Sequence, residues 1–163
     1  MILSATRRVI DIRELTPPEV DRVDAVLPLS RLDSAQTYLV AWIGDEPVGH
    51  AHIAWTDTKL GAPAIQDVFV RPEFRRRRVA TELARAAERL ARARAHTVIC
   101  LSYGEANEPA RRIYERLGYG RAAIPPQRVH ERIWIRGRPL DVDETMIYLV
   151  KRLDVDSESS RSS

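Results

Sequence analysis

An internal disulfide is out of reach for this chain: Cys100 is the sole cysteine among 163 residues, so a reducing cytoplasm is the expected setting. Lysine is nearly absent too. Lys59 and Lys151 are the only two, and almost all of the positive charge is arginine. No apolar run approaches the roughly 20 residues of a membrane span. The N-terminus carries Arg7 and Arg8 without the apolar stretch of a signal peptide behind them. Aromatic residues make up 6% and do not cluster beside the basic run, which disfavours a nucleic-acid binder that stacks bases. Net charge is only +3 although the pI is about 9.3. Such a surplus by itself does not argue for nucleic acid; a local cluster would be needed.

What is present suits one soluble domain with a real core: 44% hydrophobic and 30% charged residues. Residues 1–153 read as a single domain, and 154–163, serine-rich and charged, as a disordered tail. Along the chain the hydrophobic period switches between two and 3.6. Arg8 to Ile12 is a short strand, and Thr16-Pro17-Pro18-Glu19 has the cap and early prolines of a helix start. Thr37 to Ile43 and Val48 to Trp55 flank turn residues and form a hairpin. Ala64 to Val70 is a buried strand ended by Pro72. Val79 to about Ala95 is an amphipathic helix, Thr97 to Tyr103 a strand, and Asn107 to Leu117 a helix closed by Gly118. Arg132 to Ile135 and Thr145 to Val150 are the last strands. The order predicts an α/β domain with a mixed sheet.

Two stretches carry chemistry. In the first, strand Asp67 to Val70 runs through Arg71 and Pro72 into Arg75-Arg76-Arg77-Arg78 and a helix start. First-turn N–H groups lack intrahelical partners, and the helix dipole adds positive potential, so a pyrophosphate is held there without any side chain. The arginines add charge that pairs with phosphate oxygens. A solvated basic face and a nucleic-acid patch are the competing interpretations of such a run. In the second stretch, Asn107 and Tyr114 stand seven residues apart. Two helical turns put them on nearly one face, about 10 Å apart along the axis. Asn107 caps the helix and still offers its amide; Tyr114 offers a phenol that is otherwise an amphipathic core residue. When an amine attacks a thioester, a phenol beside the sulfur can protonate the departing thiolate.

Together the two stretches resemble the GNAT superfamily of acyl-CoA N-acyltransferases. That family's pyrophosphate loop runs Val-x-Pro-x-x-(Arg/Gln)-x-x-Gly-x-(Gly/Ala), matched by Val70, Pro72, Arg75 and Ala80. Its later helix runs Asn-x-x-Ala-x-x-x-Tyr-x-x-x-Gly-(Phe/Tyr), matched by Asn107, Ala110, Tyr114, Gly118 and Tyr119. The resemblance implies a mostly antiparallel central sheet of six to seven strands flanked by helices. It implies acetyl-CoA as co-substrate and no metal. The implied activity is acetyl transfer to a primary amine by direct attack in a ternary complex. Backbone groups of Val68, Phe69 and Val70 would bond the pantetheine arm. Arg75 and the backbone of Arg76, Arg77, Arg78, Val79, Ala80 and Thr81 would hold the pyrophosphate. Asn107 would touch the cofactor, and Tyr114 would be the general acid. The implied partners are acetyl-CoA and an amine acceptor, small molecule or protein, with a homodimer left open, no membrane, and nucleic acid disfavoured. The loop's first glycine is Arg78 here. A helical backbone at that position keeps the site; a requirement for φ > 0 damages it.

A proton acceptor is also needed. Some family members carry a glutamate where this chain has Ser102, which cannot serve. Asp67 is the leading candidate, with pairing to a nearby arginine as its other role, and Glu105 follows. His50 and His52 share a strand face and read as sheet residues before a metal pair. Cys100 reads as core before a covalent acyl carrier. By the resemblance, Val20 to Asp33, Trp55 to Pro63 and Gln127 to Glu144 would form the acceptor site. Trp55 and Trp134 would be its walls, and Asp57, Asp141, Asp143 and Glu144 its anchors for a cationic amine. Two alternatives stand beside the enzyme: a non-catalytic acyl-CoA-binding regulatory module, and a nucleic-acid binder whose affinity would fall steeply with salt.

Overall fold

Nearly every position of Thr37–Ile43 (β2) and Glu46–Ala54 (β3) is buried, because both faces of these strands are covered. Gly44, at φ +60°, makes the tight turn of the expected hairpin. The computed structural model describes residues 9–32, 36–135 and 138–153, without the side chains of 133–138. The expected tail at 154–163, Arg8 of the first strand and the Trp134 side chain lie outside the described residues.

Ile10–Glu14 (β1) is followed by a 3₁₀ turn at Pro17–Glu19, closed by a Thr16–Glu19 capping box, and by helix Val20–Asp24 (α1). Ala64–Val70 (β4) leads through the 3₁₀ turn Pro72–Phe74 to helix Val79–Ala93 (α2). Val98–Gly104 (β5), helix Glu108–Arg116 (α3), Gly120–Arg121 (β6), Gln127–Ile135 (β7) and Arg138–Arg152 (β8) complete the order.

The strands form one eight-stranded sheet, β1-β2-β3-β4-β5-β8-β6, with β7 also on β8. All pairings are antiparallel except β4 with β5. The α/β architecture is the one expected. The sheet holds one strand more than expected because two-residue β6 is too short to show a period. The hairpin β7–β8 is also longer than the sequence suggested, since its alternation is masked by arginines and acids.

The two faces of the sheet bury different clusters. On one, Val79, Leu83, Ala87 and Ala91 of α2 pack against Leu39, Ala41, Ala51, Ile53, Ile65, Ile99 and Leu101. On the other, Val23 and Leu27 of the α1 region pack against Tyr38, Val40 and Trp42. A polar contact ties the segment after α3 to this frame. Glu88 of α2 is 3% exposed and accepts from Lys151 Nζ of β8 at 2.6 Å and from the Tyr119 hydroxyl at 3.3 Å. It holds the chain just beyond Tyr114 against α2. Replacing Lys151 with Met leaves a buried carboxylate without its cation, and we expect a loss of about 3 kcal/mol in urea unfolding. Unchanged unfolding free energy would show that the pair does not fasten α2 to β8.

Candidate functional site: a fork in the sheet beside a helix start

The centre of the candidate site is set by the two edges of β4. Against β3 the register runs His52↔Gln66, then His50↔Phe69, so Asp67 and Val68 together face Ala51. This is a β-bulge, with Asp67 in the left-handed region at φ +51°. On the other edge β4 pairs with β5 only at Ala64↔Cys100 and Ile65↔Leu101. Beyond that point the strands part, while β5 stays paired to β8 out to Gly104. The β5-facing backbone of Val68, Phe69 and Val70 therefore has no strand partner. Unpaired N–H and C=O groups in such a gap accept an extended, amide-bearing molecule in place of the missing strand.

Downstream of β4 the chain turns at Pro72 and delivers the four arginines to the start of α2. Arg78, the N-cap of α2, has φ +64°, and Arg76 has φ +65°. The loop thus does require the glycine-like conformation, and two arginines adopt it, each at a cost of about 1–2 kcal/mol. The loop keeps this shape without the glycine, and the Arg78 Cβ stands where close backbone approach was expected. No side chain caps α2, which leaves the first-turn N–H groups of Val79, Ala80 and Thr81 for a ligand. Arg75 Nε donates to the Val70 carbonyl at 3.2 Å, and Arg77 lies over the Phe74 ring, 5.5 Å from its centroid. Among the described residues none of Arg75 to Arg78 is paired with an acid.

Across the fork, Asn107 caps α3 by accepting from the Ala110 N–H at 3.2 Å, so its NH₂ group stays available. Tyr114 packs against the α2-side core and meets the Tyr119 ring edge-on at 5.8 Å. Its hydroxyl has no hydrogen bond within the described residues. Burial pushes the Tyr114 phenol up to about 12, so it stays protonated through the neutral range and can donate.

Other expected residues take different places. Asp67 is bonded by Arg31 Nε, and Arg31 also reaches Gln66 Oε1 at 3.3 Å. The arginine comes from the segment after α1, whose Arg31 N–H donates to the Tyr38 hydroxyl at 2.7 Å. His50 sits under this segment, its Nε2 2.9 Å from the Pro28 carbonyl oxygen, and stacks on Phe69. Burial, the main cause, pushes its pKa below the ordinary imidazole value against the Pro28 contact. No group of three or more potential metal ligands occurs among the described residues. Cys100 is buried, and its thiol is pushed up to about 11 by that burial, which leaves it a poor nucleophile.

The acceptor walls and anchors also change. Trp55 stacks on His96 and carries Arg94 over its ring at 4.0 Å, at the C-terminal end of α2 and away from the fork. Asp141 and Asp143 are paired with Arg132 and Arg128, at 2.8 and 2.9 Å. Glu144 behaves differently: a Cβ on Gly104 would overlap its carboxylate. The acid lies over the end of β5, on the face that carries Ser102. Sequence spacing carried no signal of this contact beyond the glycine itself.

The class of protein is that of the acyl-CoA-dependent N-acyltransferases. The Acetyltransferase (GNAT) family matches residues 7–119, and the chain belongs to that family. Solved structures agree in fold. A spermidine/spermine N-acetyltransferase from Vibrio cholerae aligns with TM-score 0.68 at 15% identity, covering 98% of this chain and all (100%) of that one. An IAA acetyltransferase from Bacillus cereus gives 0.66 at 15%, covering 89% and 100%. A GNAT acetyltransferase from Elizabethkingia anophelis with acetyl-CoA bound gives 0.63 at 15%, covering 88% and 98%. No curated protein matches. No helix is long and apolar enough to cross a membrane among the described residues.

The left-handed arginine makes a separable prediction. Arg78→Gly and Arg78→Ala both remove the guanidinium, but only glycine relieves the backbone. The glycine variant should be the more stable of the two by about 1 kcal/mol in denaturant melts; equal stabilities would mean that position 78 is not left-handed.

Proposed function

We propose that this chain transfers an acetyl group from acetyl-CoA to a primary amine by direct attack in a ternary complex. The fork carries this reading: β4 presents unpaired backbone on one side of a gap that leads straight to an uncapped helix start. Val68, Phe69 and Val70 would bond the amides of the pantetheine arm. The first-turn N–H groups from Val79 to Thr81 would take the pyrophosphate, with the backbone of Arg76 to Arg78 beside them and the four guanidinium groups neutralising it. The NH₂ group of Asn107 would contact the arm from the other side.

In the reaction the amine nitrogen bonds to the carbonyl carbon and the carbon–sulfur bond breaks. Tyr114 delivers its proton to the sulfur. The amine's surplus proton leaves toward the acceptor face, where Ser102 offers no base. Glu144 is the carboxylate proposed to receive it, directly or through one water. Asp67 is proposed instead to hold the bulge, because its carboxylate is already engaged by Arg31. Holding both reactants at the apex of the fork would supply much of the rate.

Tyr114→Phe should lower kcat by about 10²-fold while acetyl-CoA still raises the melting temperature as it does in the wild type. An unchanged kcat would remove the phenol from the mechanism. Absence of any stabilisation by acetyl-CoA would remove the cofactor reading altogether.

A further inference from the structure

A small pocket opens at the apex of the fork, enclosing about 70 Å³. Thr58, Lys59, Gln66, Cys100, Ser102 and Tyr148 contribute to its lining. Ile99, Leu101 and Tyr103 of β5 pack on the α2 side, so Cys100 and Ser102 face the opposite side of the sheet. The pocket therefore lies across the sheet from α2, beside the last β4–β5 pair.

Its charge is unexpected for a site meant to hold a cationic amine. Lys59 is the single charged residue in the lining. Its ammonium is bonded to the neutral amide oxygen of Gln127 and lies 5.5 Å over the Tyr148 ring. No carboxylate pairs with it among the described residues. Of the acids that could have drawn a cation, Asp141 is paired with Arg132, Asp143 with Arg128 and Asp67 with Arg31, and Asp57 is outside the lining. Glu144 lies over Gly104, beyond the lining. A positively charged arm entering this pocket would meet an ammonium. An anionic one would exchange with the Gln127 amide for a charge-assisted bond, with the Ser102 hydroxyl beside it; the Thr58 hydroxyl already donates to the Ala62 carbonyl at 2.5 Å.

We propose that the acceptor is an amine bearing a carboxylate close to its nitrogen, as in an amino acid, and that Lys59 binds the carboxylate. The nitrogen would then point into the fork, and Glu144 would take its proton. This rests on the acyl-transfer reading above and narrows it to one substrate class.

The test uses the full chain with acetyl-CoA and matched acceptors: amino acids, their carboxamides, the corresponding decarboxylated amines, and spermidine. Binding of acetyl-CoA is read first by thermal shift. Without it the acyl-transfer reading falls, and this proposal with it. With it, kcat/KM for the acids should exceed that for the carboxamides by about tenfold or more, as expected of a hydrogen bond to a charged group. Lys59→Gln should erase that ratio by lowering kcat/KM for the acids much further than for the carboxamides, with the thermal shift by acetyl-CoA still present. Lys59→Arg should retain most of it. Equal use of carboxamides, preference for spermidine, or an unchanged ratio in Lys59→Gln would each overturn the substrate class and leave acyl transfer standing. So would the finding that no acid is acetylated and none stabilises the CoA-saturated protein.

Discussion

The parting of β4 from β5 is the constraint from which the rest of the site follows. Each strand is held by its other neighbour. β5 is committed to β8 along its whole length, from Val98 to Gly104. β4 is committed to β3, but with one residue in excess, and the bulge at Asp67–Val68 turns it away. A left-handed aspartate costs about 1–2 kcal/mol. The bonds from Arg31 to Asp67 and Gln66 hold that stretch in place. A straight β4 would continue its parallel ladder with β5, close the gap, and leave neither free backbone for an amide arm nor an apex for an acceptor.

The helix start depends on the same strand. α2 packs its apolar stripe onto the sheet through Val79, Leu83 and Ala87, which fixes its first turn beside the end of β4. Two left-handed arginines bring the chain round into that turn. The strain comes from the Cβ atoms of Arg76 and Arg78, and the same two residues carry guanidinium groups proposed to meet the phosphates. On the far side, Glu88, Lys151 and Tyr119 fasten the chain just beyond α3, which holds the C-terminal end of the helix that carries Tyr114 against the core.

Local features were legible because local chemistry specifies them. The Thr16 capping box, Gly44 in the hairpin turn, Pro72 after β4, the Asn107 cap and Gly118 after α3 all stand where short-range backbone rules put them. Long-range charge pairing was not legible. Asp67 read as a strand-end carboxylate for neighbouring arginines or for a proton, and its partner came from 36 residues upstream. Trp55 read as an acceptor wall and went to His96 and Arg94. Asp141 and Asp143 read as anchors for a cation and found arginines on the facing strand of their own hairpin. With 24 arginines in the chain, nearly every acid has several sequence-compatible partners, and only folded distance selects one.

Sequence alone determined the element order apart from two-residue β6, the arginine-led helix start and the asparagine-to-tyrosine helix, since caps, prolines and apolar periods act within a few residues. Only tertiary structure decided that β4 leaves β5 after two pairs, that Arg76 and Arg78 are left-handed, and that Lys59 rather than an acid lines the apex pocket. Those outcomes depend on which surfaces compete for the same backbone and the same charge, and that competition exists only once distant segments are packed together.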